Sequence, residues 1–198
     1  TRYISVTGVQ TCALPICGST LSVDQPACVV WITGMSGAGK STCANALADR
    51  LRSSGHRVEV LDGDAIREQL SKGLTYSRED RNENIRRIGF VAELLSRNGV
   101  MVIVAAISPY RQARDEVRAR IPNFIEVHAH CPLDVLIQRD AKGLYKRALA
   151  GEIAHFTGIN DPYEPPQAPE ATIDSSTDSV EQGVERIWTA LQQQGVGV

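Results

Sequence analysis

Gly34-Met35-Ser36-Gly37-Ala38-Gly39-Lys40-Ser41 matches the pattern G-x-x-x-x-G-K-[ST], a spacing with a defined chemistry. Its glycines let successive backbone N–H groups turn toward one anion, and a helix beginning near Lys40 adds the positive end of its dipole. Lys40 can then reach the β- and γ-phosphates of a nucleoside triphosphate as a point charge, while the Ser41 hydroxyl can ligate a Mg²⁺ ion bridging them. The bland alternative is a glycine-rich turn between a strand and a helix. The apolar run before the motif and the helix-period segment after it supply the context that nucleotide binding requires.

A second cluster follows at Asp62-Gly63-Asp64-Ala65-Ile66-Arg67. At the end of a strand beside the phosphate loop, it places two carboxylates and an arginine where an acceptor hydroxyl would sit. A carboxylate there can orient or deprotonate that hydroxyl, or hold Mg²⁺ through water, and Arg67 can grip an anionic acceptor. An Asp-Gly turn with helix capping is the competing reading.

The elements that must carry these residues alternate along the chain. Strand candidates are Cys28–Thr33, Arg57–Leu61, Val100–Ile107, Phe124–Ala129 and Ala171–Ile173, and their continuous apolar runs imply burial on both faces. Helix candidates are Lys40–Ser53, Arg78–Arg97, Pro109–Arg120, Leu133–Asp140 and Ser179–Gln193. Within them, Ile85, Ile88, Ala92 and Leu95 share one face, as do Val180, Val184, Ile187 and Leu191. Glu83 with Arg87, and Glu93 with Arg97, are i,i+4 pairs that mark a solvated face. The span Lys142–Pro169 is rich in Gly, Pro and charge, lacks a clean period, and reads as a lid. Together these imply an α/β fold with a mostly parallel five-stranded sheet and helices on both faces.

Composition bounds the rest. With 21 Lys and Arg against 23 Asp and Glu, no global field favours nucleic acid or an acidic membrane surface, so any anion site is local. No apolar run is long enough to span a bilayer, and a cytoplasmic protein is the expectation. The five cysteines, Cys12, Cys17, Cys28, Cys43 and Cys131, form no C-x-x-C pair and read as free thiols. The stretch Val6–Ile16, VTGVQTCALPI, has no period. Back-translated with one choice of codons it resembles a sequencing-library adapter. Residues 1–26 are therefore expected to be an artefact or a disordered leader, with the functional domain at 27–198.

No N-K-x-D guanine-reading motif is present, which points to a small-molecule kinase among the P-loop classes. The phosphate loop GMSGAGKST (Gly34–Thr42) is joined, in order, by LDGDAIR (Leu61–Arg67), SREDRNENIRRIGFVA (Ser77–Ala92), ISPYR (Ile107–Arg111), KGLYKRALAGEI (Lys142–Ile153), FTGI (Phe156–Ile159) and DPYEPP (Asp161–Pro166). This series resembles the adenylylsulfate kinase family over about Ala27 to Ile187. The resemblance implies a P-loop NTPase-like fold and transfer of the γ-phosphoryl group of ATP, with Mg²⁺, to the 3′-hydroxyl of adenosine 5′-phosphosulfate. It also implies a homodimer.

By that resemblance Gly34 to Thr42 hold ATP and Arg139 stacks on its adenine. Asp64, Arg67, Arg81 and Asn84 contact the acceptor, Tyr76 and Phe156 lie near its adenine, and Ile107, Ser108, Pro109, Thr157 and Gly158 complete its site. Lys142 approaches the transferring phosphoryl group or the sulfate, and Asp62 shares the metal with Ser41. Ser108 occupies the position of the family's active-site serine, sometimes described as a phosphoserine intermediate. In-line attack by the acceptor hydroxyl suffices for phosphoryl transfer, so Ser108 reads as orienting the acceptor. Ala65 and Tyr76 stand where many members carry Asn and Phe, and neither change removes a charge. His128-Ala129-His130-Cys131 lacks a fourth ligand and reads as structural, as does Cys43. Two rivals remain open: another small P-loop kinase, and a nucleotide-binding regulatory domain cut from a bifunctional sulfurylase–kinase.

Overall fold

The computed structural model describes residues 27–198; the leader reading, with Cys12 and Cys17, falls on residues outside that span. The central strands are β1 (Val29–Thr33) and β3 (Met101–Ala105), buried at every position. They are flanked by β2 (Val58–Asp62), β4 (Phe124–His130) and β5 (Ala171–Asp174) in the order β2-β3-β1-β4-β5. Every pairing is parallel, so the expected mostly parallel sheet is parallel throughout.

Alternation along β1 divides the core in two. Val30 and Ile32 face α1 (Lys40–Ser53) and α7 (Val180–Gln193), packing with Leu47, Leu51, Ile187 and Leu191. Val29 and Trp31 face α3 (Arg78–Ser96) and α4 (Arg111–Arg118), packing with Ile85, Ile88, Ala113 and Val117. Two-sided burial explains why the strands read as apolar runs. The helix faces agree with this division except at Val180, which opens α7 and is 37% exposed. Of the expected ion pairs, Glu83–Arg87 forms at 2.9 Å, whereas Glu93 turns to Arg120, which follows α4.

Two helices were hidden in the sequence. Asp62-Gly63-Asp64 is a capped helix start, because the Asp62 carboxylate accepts from the Asp64 amide at 3.0 Å and opens α2 (Gly63–Leu70). The lid span contains α6 (Leu144–Leu149), preceded by α5 (Leu133–Arg139) and started by Asp140, whose carboxylate accepts from the amides of Tyr145 and Lys146. The helix expected at Pro109–Arg120 is shorter because the chain first makes a left-handed turn at Ser108, with φ 46°. Cys28, Cys43 and Cys131 are buried free thiols, with desolvation pushing Cys28 up to about 12 and Cys43 to about 11. No described helix is long and apolar enough to cross a membrane.

The close approach of α3 to α4 depends on Gly89, where an added Cβ would lie 2.5 Å from a methyl of Val117. Alanine inside a helix ordinarily gains ~1 kcal/mol over glycine, but overpacking a core costs ~1–3 kcal/mol. Gly89→Ala is therefore expected to lower the Tm, and adding Val117→Ala to restore it. A thermal melt showing Gly89→Ala at or above the parent would mean that the two helices part without strain.

Candidate active site

The carboxyl ends of β1, β2 and β3 open on one edge, where α1 leaves toward one face of the sheet and the α3–α4 layer covers the other. A cleft of about 330 Å³ lies there, lined by the phosphate loop, α2, Tyr76 and the start of α3, residues 105–109, Ala141 and the lid residue Lys142.

The phosphate loop is held from below and from one side. A Cβ on Gly34 would collide with the Ala129 carbonyl of β4, so only glycine lets the chain leave β1 here. Gly37 and Gly39 both take φ 78°, and among the described residues no side chain caps the α1 N-terminus, which leaves its first-turn amides for an anion. The Tyr145 hydroxyl donates to the Ser36 carbonyl at 2.8 Å, and Met35 packs under Gly158, so lid residues brace the loop directly.

Lys40 is buried, and its ammonium donates to the Met35 carbonyl at 2.8 Å. Desolvation pushes its pKa from the ordinary 10.5 down to about 8, outweighing the attraction of Asp64 and Asp62. A buried cation facing an open cleft and uncapped amides is a site built for a polyanion.

The two carboxylates divide their work. Asp62 accepts from the Ser41 hydroxyl at 2.6 Å and from the Asp64 amide, so hydroxyl and carboxylate oxygens sit together. That all-oxygen pair fits Mg²⁺, which takes one or two protein oxygens with phosphate and water. Among the described residues, no group of three His, Cys, Asp and Glu side chains is placed to hold a metal. His128 and His130 are edge-on neighbours, and His128 stacks on Tyr163. Asp64 is 82% exposed at its side chain and accepts from Lys142 Nζ at 2.8 Å, which raises the lysine's pKa.

On the far side, Tyr76 stands 55% exposed, with the guanidinium of Arg67 4.2 Å and that of Arg81 5.3 Å from its ring centroid. Arg67 is aimed by the carbonyls of Leu74 and Thr75. Arg81 is aimed by those of Tyr76 and His155, with Asp161 4.0 Å away. Burial lowers the Arg81 pKa. Asn84 lines the same wall with a buried Oδ1 that has no hydrogen-bond partner among the described residues, the mark of a group awaiting a ligand. Two cations, an aromatic face and an orphan amide oxygen suit an anionic, planar molecule.

Ser108 lies on the cleft wall but is 2% exposed, and its hydroxyl accepts from the Trp31 indole at 3.0 Å. An oxygen so engaged is not presented as a nucleophile. Ile107 and Pro109 line the cleft beside it.

Most of the expected site converges: Ser36, Gly37, Gly39, Lys40, Ser41, Thr42, Asp62, Asp64, Arg67, Tyr76, Arg81, Asn84, Ile107, Ser108, Pro109 and Lys142 share the one cleft. Gly34, Met35 and Ala38 support the loop from outside that lining. Arg139 borders a separate hollow of about 190 Å³ behind the loop, with Gly37, Gly39 and Thr42, and donates to the Ser175 carbonyl. Phe156 is not in the cleft; it is buried, edge-on to Tyr145, while Thr157 is buried beside it and Gly158 sits on Met35. Sequence reading missed Ala141, Tyr145 and Trp31. Ala141 lies just outside the quoted motifs, Tyr145 lies inside KGLYKRALAGEI without a role assigned to it, and Trp31 sits in a run that reads as core.

The family model described as Adenylylsulphate kinase matches residues 26–174. The adenylyl-sulfate kinase of Rippkaea orientalis is 56% identical over 173 residues, covering 87% of this chain and 96% of its own length. The structure of a Mycobacterium tuberculosis APS kinase in complex with AMPPNP and APS superposes with a TM-score of 0.81 at 40% identity, over 84% of this chain and 98% of that one. A hexameric APS kinase from Thiobacillus denitrificans matches at TM-score 0.66 and 37% identity, over 87% of this chain and 30% of that one.

Because the folded pKa of Lys40 lies below its ordinary value, the unfolded chain binds the extra proton between pH 8 and 10.5. Stability should rise with pH through that window, and the penalty is complete below it. A bound triphosphate restores the charged form. Calorimetry at pH 8 in buffers of different ionisation enthalpy should therefore show uptake of up to about half a proton per nucleotide bound, lost in Lys40→Met. Zero uptake in the parent would place Lys40 away from the phosphates.

Proposed function

The chain belongs to the adenylylsulphate kinase family, and from that premise we infer that it transfers the γ-phosphoryl group of ATP to the 3′-hydroxyl of adenosine 5′-phosphosulfate, giving 3′-phosphoadenylylsulfate. The observation that carries the reading is the single cleft in which a phosphate loop with a buried lysine faces a wall of Arg67, Tyr76, Arg81 and Asn84.

In this reading residues 27–198 form the catalytic domain. The loop amides and Lys40 hold the β- and γ-phosphates, and Arg139, in its hollow behind the loop, lies toward the ATP adenine. Ser41 and Asp62 would hold Mg²⁺, whose charge offsets that developing on the phosphoryl oxygens. Arg67, Arg81 and Asn84 orient the acceptor, with Tyr76 as its stacking face. The attacking 3′-oxygen forms a bond to the γ-phosphorus as the bond to the β–γ bridging oxygen breaks. The hydroxyl proton passes to Asp64, the more exposed carboxylate, and Lys142 moves from Asp64 toward the transferring group. The chemistry needs positioning and charge more than covalent help. Family membership also supports a homodimer and a cytoplasmic location as proposals, the first checked by the mass of the protein in solution.

The test is ADP release from MgATP with and without adenosine 5′-phosphosulfate. Release that depends on the acceptor, with the 3′-phosphorylated product identified, is expected; binding of both ligands without turnover would overturn the reading. Lys40→Ala should lower kcat about 10²–10³-fold by removing charge stabilisation. Arg81→Ala should raise the acceptor KM roughly 10-fold or more while the KM for MgATP holds. A change confined to the MgATP KM would put Arg81 on the wrong substrate.

A further inference from the structure

The cleft wall at Ser108 is held from inside the protein. Ser108 adopts φ 46°, a left-handed conformation that a non-glycine residue keeps only when its surroundings over-determine it. Three buried donors converge on this turn. The Trp31 indole, in the middle of β1 and fully buried, donates to Ser108 Oγ at 3.0 Å. Arg114 of α4, 1% exposed, donates to the Ser108 carbonyl at 2.6 Å. The Thr33 hydroxyl donates to the Ile107 carbonyl at 2.7 Å.

We propose that Trp31 is a positioning residue for the phosphoryl transfer, acting through Ser108 to fix the wall against which the acceptor rests. The inference depends on the kinase reading for its readout. The indole N–H has no water to turn to at this depth, so its bond to Ser108 Oγ is enforced by burial. With Oγ tied inward and the carbonyl tied to Arg114, the backbone of Ile107, Ser108 and Pro109 is left to face the cleft in one conformation. The phosphate loop stands on the opposite side, so loosening this wall misplaces the acceptor without touching the ATP phosphates.

Trp31→Phe removes the donor and keeps a ring against Phe124, whose centroid lies 5.9 Å away. The expected result is a kcat lowered about 10-fold, with the MgATP KM within about twofold of the parent and one nucleotide still bound per chain by calorimetry. Simple misfolding would reduce that stoichiometry. In a Ser108→Ala background the same Trp31→Phe change should lower kcat by less than about twofold, because the oxygen it acts through is gone. Full multiplication of the two effects, or a Trp31→Phe enzyme with parental kcat, would overturn the proposal. If Trp31→Phe fails to melt cooperatively, the Trp31 indole N–H resonance decides the matter: it should shift between parent and Ser108→Ala, and an unchanged resonance overturns the coupling. Parental turnover with adenosine 5′-phosphosulfate in the same assay tests the kinase reading separately.

Discussion

The molecule is organised around one buried guanidinium. Arg114 donates to Glu126 of β4 at 2.7 Å, to the Ser108 carbonyl at 2.6 Å and to the Glu164 carbonyl at 2.7 Å. It therefore joins α4, the turn after β3, the middle of β4 and the C-terminal part of the lid span. Arg118 extends the network to Glu170, whose carboxylate in turn accepts from the Glu126 amide at 2.7 Å. Such an arrangement adds little net stability over a well-packed apolar one. Removing a single partner leaves a buried charge uncompensated, at a cost of about 3–5 kcal/mol. Its effect is to make four chain segments agree on one geometry, and one of them, the stretch after β3, lines the cleft.

The electrostatics of the cleft follow from where the charges are buried. Lys40 and Arg81 are both taken out of water without full neutralisation, and both have lowered pKa values for that reason. The near-neutral overall charge says nothing of this, because the field is local. Lys142 and Asp64, out in solvent, satisfy one another at 2.8 Å and contribute little field of their own. The open cleft thus holds deep cations whose close partners are mainly backbone carbonyls, and a shallow ion pair that can be exchanged.

How far the sequence disclosed this depended on how local each signal was. The strands and the long helices were legible because two-sided burial and a 3.6-residue period are local patterns, and Lys40–Ser53 was read at the bounds of α1. The phosphate loop and the Asp62–Arg67 cluster were legible as spaced motifs. Helix α2 was not, since Asp-Gly reads equally as a turn and only the Asp62 cap resolves it. Helix α6 was obscured by the glycines on either side of it, Gly143 and Gly151, which lie in positive-φ turns. The expected Glu93–Arg97 pair failed because a tertiary partner, Arg120, competes better than a neighbour on the same helix. Phe156 was placed in the site by its motif, yet edge-on packing with Tyr145 draws it into the core. Trp31, Arg114 and Tyr145 act across separations of 77, 50 and 109 residues, which no local pattern reveals.

The contact of Tyr145 with the Ser36 carbonyl, together with Met35 beneath Gly158, makes the lid a structural part of the phosphate loop. Whatever free energy a bound triphosphate contributes to ordering that loop is therefore shared with the lid, and linkage makes the exchange reciprocal. A change far out on the lid that shifts its equilibrium between ordered and open forms must alter nucleotide affinity by the same factor by which nucleotide alters lid order. Nucleotide held at the phosphate loop and order in the lid residues that brace it are thus coupled through the same contacts.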